Sequence, residues 1–394
     1  MKHFKNIELD VVFLFIFFFY FYSYIFQNIH TDLKFHTLQI LQINQGKAEY
    51  PPNFLYYFLV NFFSGFPNSI DSLNNAASVL LALATTSKYY FTKLLFVKNI
   101  KFQFSNAYKT SIASIFFALL LMLYFGIPNH YSINVAQYWY ISRLVPNIIH
   151  NSTSIFLFPF AIISFWFFIN KNWKYIETEK LNYIFWGVLL MLINILIKPS
   201  FLFVFIPISS IYFLWKHKIS KLFLLKVIPF FVGFLLIILQ YFLIYKLEIG
   251  NFVAGDNEIK IGELFEVWKY FLPENQLLEA LLLSFAFPVV CLLLFWKKII
   301  QDEILVVSLL MLVFGVMLFA FIYEDGIRKF DANFIWQVIL AYYIFLIQIS
   351  IFLINEYFHE TEKWKIYICT VFFFLHVFSG IAYLIHVYNV RTYI

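Results

Sequence analysis

Ionisable residues are scarce in this chain, and their scarcity sets its class. Only 13% of its 394 residues are charged, while 62% are hydrophobic. A soluble globular domain, whose apolar fraction lies nearer one half, is excluded. Alternating ten-residue strands are missing, which excludes an outer-membrane barrel. Cysteine is nearly missing too. Cys291 and Cys369 lie in separate apolar runs as small hydrophobes, and give neither a disulfide framework nor a zinc-ligand spacing. No G-x-x-x-x-G-K-[ST] or G-x-G-x-x-G sequence occurs, so nothing recommends an ATPase or a nucleotide-binding fold. No H-E-x-x-H occurs, which argues against a zinc protease of that kind. The longest stretch without an apolar piece, 247–276, is too short for a Rossmann domain. A net charge of +6 is ordinary for a polytopic protein with lysines in its inner loops, and implies no nucleic-acid partner.

What is present is apolar sequence in long blocks. There are 55 Phe and 27 Tyr, and mean hydropathy is +0.79. Runs of about 17 to 24 residues suffice to cross a hydrocarbon core of about 30 Å as helices. The first, Leu9 to Gln27, follows Lys2 and Lys5, exceeds a signal-peptide core in length and lacks a small-residue cleavage site. It reads as a retained signal anchor with a cytoplasmic N-terminus. Ten further runs lie near 72–97, 108–127, 154–170, 181–197, 200–215, 227–246, 277–296, 304–323, 334–354 and 366–388.

The piece from Asn53 to Phe66, bracketed by Pro51-Pro52 and Pro67, is too short to join them. The excess of lysine on cytoplasmic loops supports leaving it out. Without a crossing there, the inner loops hold Lys98/Lys101/Lys109, Lys171/Lys174/Lys180, Lys216/Lys218/Lys221/Lys226, Lys297/Lys298 and Lys363/Lys365. With a crossing, those loops would all face outward. The expected fold is therefore all-α: one integral membrane domain, 1–394, forming a polytopic transmembrane helical bundle of about eleven spans in the inner (cell) membrane. A juxtamembrane helix over 53–66 lies on the outer face within the first outer loop, 28–71. A second outer loop covers 247–276, and the C-terminus is outside.

This topology sends all three arginines, Arg143, Arg328 and Arg391, to the outer side, opposite the bulk of positive charge. Arginine grips carboxylate or phosphate through a two-pronged fork. Around them stand Asp32, His36, Glu49, His150, Lys198, Glu324 and Asp325. Ionisable side chains gathered beside a membrane are a functional hypothesis by default. In Thr31-Asp32-Leu33-Lys34-Phe35-His36, Asp32 and His36 are four apart and share one helix face. Together they can accept a proton and orient a phosphate; equally, Asp32 can cap a surface helix. His150-Asn151-Ser152-Thr153 opens a span after the aromatic stretch Tyr138-Trp139-Tyr140. Asn151 or Ser152 suits a helix cap there, and free amides at a helix start also attract anions.

Lys198-Pro199-Ser200 lies between two long runs. It fits a tight hairpin with a snorkelling lysine or a lysine that faces phosphate. Glu324-Asp325-Gly326-Ile327-Arg328-Lys329 is dense in charge, and Arg328 four residues after Glu324 suits an ion pair at a helix end or a ligand. Trp336 fits the interfacial aromatic belt.

A single first span, an outer loop with an early acid, and paired prolines before an aromatic interfacial helix together resemble the GT-C superfamily of membrane glycosyltransferases. The matching residues are Asp32 in Asp32-Leu33-Lys34-Phe35-His36 and Pro51-Pro52 after Tyr50. The His150-Asn151-Ser152-Thr153, Lys198-Pro199-Ser200 and Glu324 to Trp336 segments are similar to GT-C-like membrane proteins of bacterial surface-polysaccharide systems. The likeness spans about residues 1–340. It implies a GT-C-like bundle with the active-site acid in the first outer loop. With no room for a nucleotide-sugar domain, the donor is a polyprenyl-phosphate-linked sugar carried in the membrane lipids, and the acceptor a glycan or lipid. Many such enzymes carry Asp-Asp or Asp-Glu in that loop. Here Lys34 and His36 flank Asp32, so the cofactor is left open: a divalent metal is compatible but not indicated, and no metal ligand is assigned.

The expected chemistry is an inverting sugar transfer at the outer face. Asp32 is the expected general base, with burial near apolar rings raising its pKa. The expected substrate-binding residues are His36, Glu49, Arg143, His150, Asn151, Lys198, Glu324 and Arg328. Among them Arg328, Lys198, Arg143 and His150 would offset charge growing on the departing polyprenyl phosphate. Two alternatives stand beside this reading. A transporter or flippase of lipid-linked sugars would use the same cations without catalysis. A surface-polysaccharide polymerase or ligase usually relies on a late outer loop with several arginines, which 247–276 lacks.

Overall fold

The computed structural model describes residues 8–100, 107–129, 139–169, 180–250 and 258–393. Lys101, Tyr138, Lys171 and Lys174 lie outside the described residues, as does the side chain of Lys109. The described helices are α1 (Leu9–Asn28), α2 (Asp32–Asn44), α3 (Leu55–Ser64), α4 (Ile70–Asn99), α5 (Ala107–Leu123), α6 (Ser152–Ile169), α7 (Lys180–Ile197) and α8 (Ser200–His217). They continue as α9 (Lys221–Tyr245), α10 (Trp268–Phe271), α11 (Glu274–Ser284), α12 (Ala286–Ile299), α13 (Glu303–Phe321), α14 (Trp336–His359) and α15 (Lys363–Val390). Helix is what such sequence must form in lipid, because each backbone group then finds its partner within its own segment.

Among the described residues, eight helices are long and apolar enough to cross a membrane: α1, α6, α7, α8, α9, α13, α14 with its preceding turn, and α15. Helices α11 and α12 make a ninth if taken as one span bent by 63°. These are the helices of an integral membrane protein. The expected eleven differ from this number at α4 and α5. Helix α5 is 17 residues, below span length, whereas α4 is long, at 30 residues, but too polar. Helix α4 nonetheless runs the depth of the bundle. Near its start, Asn74 accepts from Thr37 of α2, and at its end the Asn99 carbonyl accepts from Asn355 near the far end of α14. Its polar residues Thr85, Thr86, Lys88, Thr92 and Lys93 are all buried among other helices.

Helix α3 has 10 residues, about 15 Å of rise, and cannot span. It buries Tyr56, Tyr57, Val60 and Asn61 and exposes Phe58, Phe62 and Phe63, which is the short two-faced helix expected over 53–66. Helix α14 is the opposite extreme, buried at every residue from Trp336 to Ile347. A helix apolar all round belongs inside, and this one packs on α4, α6, α8, α12, α13 and α15. Helix α15 passes very close to the end of α5. A side-chain carbon on Gly380 would fall 1.6 Å from the Leu123 carbonyl oxygen, so only glycine fits.

One end of the bundle gathers the polar segments. The stretch expected as a plain loop over 247–276 instead contains strand β1 (Glu258–Ile261), the short helix α10 and the start of α11. Strand β1 pairs antiparallel with β2 (Ile322–Asp325), Glu258 opposite Asp325, and Lys260 bonds Asp325 at 2.5 Å. The ribbon fixes the charged segment that leads from α13 into α14. The residues after α15 return to the same end, where the His30 amide donates to the Arg391 carbonyl at 2.9 Å.

Candidate functional site

Lys198 is the centre of the polar cluster. It occupies the two-residue turn between α7 and α8, and its own amide closes the last turn of α7 on Asn194. Its ammonium donates to Ser154 Oγ at 3.0 Å and to Asn151 Oδ1 at 3.4 Å. It also lies 4.2 Å from the centroid of the Trp336 ring, a cation–π contact. Among the described residues no carboxylate pairs with it within 4 Å. Burial holds the ammonium down to about 7, and Arg328 adds repulsion, while Asp32, Asp331 and Glu324 pull the other way.

Asn151 has two roles at once. Its Oδ1 accepts from the Ser154 amide at 3.0 Å, the cap of α6, and the same oxygen receives Lys198. Asp32 opens α2. Its Oδ1 accepts the Tyr393 hydroxyl at 3.3 Å. Burial pushes its carboxyl pKa up. The Tyr393 bond opposes this, Asp331 reinforces it, and Lys198 and His30 oppose it. Tyr393 lies flat on His150, centroids 4.1 Å apart and planes 8° apart. His150 in turn meets Tyr140 edge-on at 4.3 Å and Trp336 at 5.8 Å. Asp32, Tyr393, His150, Trp336 and Lys198 thus form one continuous path.

His36, one turn along α2 from Asp32, shares a 2.7 Å hydrogen bond between Nδ1 and the Tyr57 hydroxyl. Burial and the nearby Lys198 charge hold both His36 and His150 down at about 3. Both imidazoles are therefore neutral near pH 7. His150, expected among the cations, is held neutral by its burial and packs against the rings of Tyr140, Trp336 and Tyr393.

On the far side of Lys198 lies a cavity of about 190 Å³ between the start of α8, the second half of α9 and the 322–335 segment. Lys198, Gln240, Glu324, Arg328 and Asn333 make its polar side. Phe203, Ile237, Ile244 and Phe334 make its apolar side. Arg328 bonds Asp331 at 3.1 Å and lies 3.8 Å from Glu324, so the ion pair foreseen at i,i+4 coexists with its place on the cavity. Glu324 is buried and tied to Tyr245 and Asn333. It anchors the segment and shapes the field around Arg328.

Two expected residues stand apart. Arg143 is buried, but its guanidinium clamps backbone: Nε donates to the Ile127 carbonyl at 2.7 Å and Nη1 to that of Ser142 at 2.6 Å. Burial holds it down to about 10, and Glu279 pulls the other way. Glu49 is exposed, with no hydrogen bond or ion pair among the described residues. Conversely, Tyr393, Tyr140, Tyr57 and Asp331 join the site without having been foreseen. No group of three or more His, Cys, Asp or Glu among the described residues is placed to hold a metal ion. No protein-family model matches the chain, and no curated protein matches it.

Proposed function

We propose that the protein is a GT-C-like membrane glycosyltransferase that moves a sugar from a polyprenyl-phosphate donor to a glycan or lipid acceptor at the outer face of the cell membrane. The observation that carries this reading is the position of Lys198, linked to Asp32 through Trp336, His150 and Tyr393 and lining a mainly apolar cavity with a charged edge. A phosphate on a long chain matches such a cavity: cations meet the head, and apolar side chains along α8 and α9 meet the chain. In the reaction, an acceptor hydroxyl attacks the anomeric carbon and passes its proton to Asp32. The carbon–oxygen bond to phosphate breaks, and polyprenyl phosphate leaves with the bonding pair, its charge met by Lys198 and Arg328. Burial raises the basicity of Asp32, as the base role requires.

The same reading assigns eleven crossings, counting α4, α5 and the α11–α12 pair, with the N-terminus inside. Lysines Lys98, Lys180, Lys216, Lys297 and Lys363 then share the cytoplasmic end. The test is a reconstituted assay with polyprenyl-phosphate sugars and a panel of lipid-linked acceptors. Asp32→Asn keeps size but removes the base, so turnover should fall about 10² to 10⁴-fold while donor binding persists. Unimpaired transfer by Asp32→Asn overturns the base assignment. A flippase of lipid-linked sugars is the second reading, favoured by the 63° break between α11 and α12, since transporters often use interrupted helices. It calls for lipid movement and no new glycosidic bond in the same vesicles.

A further inference from the structure

Four buried polar atoms around Asp32 have no partner: Thr31 Oγ1, Tyr140 Oη, His150 Nδ1 and Trp336 Nε1. Each such atom loses its water on burial with nothing in return, and native interiors rarely tolerate several together. Three of them are neighbours, because His150 contacts Tyr140, Trp336 and Tyr393 by ring packing, and Thr31 stands next to Asp32 in the chain, where the Tyr393 hydroxyl ends. In their midst lies the ring of Tyr393, flat on His150 with its hydroxyl on Asp32. The ring satisfies none of the four.

We propose that this is a subsite for a hydroxyl-bearing six-membered ring, a pyranose, and that Tyr393 occupies it as a built-in plug. Resting on the transferase reading, the pyranose is that of the acceptor. A phenol imitates such a ligand in two respects: a flat face for stacking and a hydroxyl directed at the carboxylate. The imitation is incomplete, since a pyranose carries several more hydroxyls, enough to meet the orphaned atoms. The hold on Asp32 is also loose, because 3.3 Å exceeds the usual O–H···O range of about 2.5–3.0 Å.

The segment that carries the plug is tied to α1 and α15 by backbone, ring and hydroxyl contacts. Arg391 has a left-handed backbone, φ 61°, and its guanidinium lies over Tyr24 and Tyr388. The His30 amide to the Arg391 carbonyl and the Tyr383 hydroxyl to the Tyr393 carbonyl hold the rest. None of residues 391–393 is fully buried.

The test uses the full chain with Thr31→Cys as a reporter, since Cys291 and Cys369 are buried. A small water-soluble methanethiosulfonate should label this cysteine slowly. Adding Tyr393→Ala should raise the rate at least tenfold, and methyl glucopyranoside or methyl galactopyranoside should slow it again. Tyr393→Phe keeps the ring but loses the bond to Asp32, so its rate should fall between the two. An unchanged rate in Tyr393→Ala, or acceleration that neither glycoside reverses, overturns the proposal. Should Tyr393→Ala fail to fold, Tyr393→Phe decides, and an unchanged rate there is equally fatal. These readouts follow binding, so they stand or fall separately from any failure to detect sugar transfer.

Discussion

Lys88 and Lys198, two of several lysines packed on aromatic rings, differ in what their surroundings leave undone. Lys88, midway along α4, lies between the rings of Phe158 and Tyr343 at 3.7 and 3.8 Å and donates to Asn147 at 2.6 Å. Asn147 then reaches the Leu121 and Tyr124 carbonyls, so the lysine ties α4, α5, α6 and α14 to the segment before His150. Lys198 has one ring, at 4.2 Å, two weaker oxygen partners, and a cavity beside it. The first ammonium is enclosed by the fold. The second keeps an open side with Arg328 across the same cavity, the arrangement of a group that meets a ligand. An ionisable residue at membrane depth raises a functional hypothesis by default, but enclosure decides whether it binds or builds.

The largest expected effect separates the two directly. Lys198→Met should lower transfer about 10² to 10³-fold, the scale for losing one charge-stabilising donor, with little change in unfolding temperature. Lys88→Met keeps bulk but strands Asn147 and removes two ring contacts. It should cost about 1–3 kcal/mol of stability, read by thermal unfolding in detergent, and leave donor affinity in the surviving fold nearly intact. If the two variants exchange phenotypes, the contrast between them is wrong.

The two lysines should also differ in their response to pH. Lys198 titrates near 7 in the folded protein against 10.5 ordinarily. Below about 7 it is an ammonium, so affinity for a phosphate headgroup should fall as pH rises through that value. Stability should move the other way. Between pH 7 and 10.5 the unfolded chain binds more protons at this residue, so its contribution to stability rises with pH across that window. Lys198→Arg keeps the charge throughout and should flatten the affinity profile, as measured by donor titration at several pH values.

The sequence made much of this legible for one physical reason. In an apolar chain, polar residues at the edges of long runs mark where helices end, and Asp32, His150, Asn151, Lys198, Glu324 and Arg328 all stand there. The short helix over 53–66 was legible because its length forbids a crossing. Charge type alone does not sort roles at Arg143, where an arginine near the membrane edge reads the same whether it grips a ligand or the two backbone carbonyls that it meets here. His150 is alike, since only the folded packing shows that burial holds its imidazole pKa down. Lys88 was hidden inside an apolar run, and β1 is four residues of no distinctive pattern. Tyr393 was illegible because it enters the site by a return of the chain to α1, a contact across the whole length of the sequence.

The smallest effect concerns two carboxylates that composition alone could not rank. Glu324 is buried, bonded to Tyr245 and Asn333, and 3.8 Å from Arg328. Glu324→Gln keeps both neutral partners in reach but removes the charge that offsets Arg328. Free of that competition, Arg328 should hold phosphate more tightly while its loop loosens, so donor affinity should change by only a few-fold, in either case more than for Glu49. Glu49 is exposed and touches no polar group among the described residues. Surface substitutions of that kind stay within about 0.5 kcal/mol. Glu49→Gln should therefore leave transfer, donor affinity and unfolding temperature within about twofold or one degree of the parent, on the same scale of about 0.5 kcal/mol. A tenfold loss of transfer in Glu49→Gln would mean that the ligand reaches well beyond the Lys198 cavity, along α2 and past its end, and would move the acceptor path to that side of the bundle.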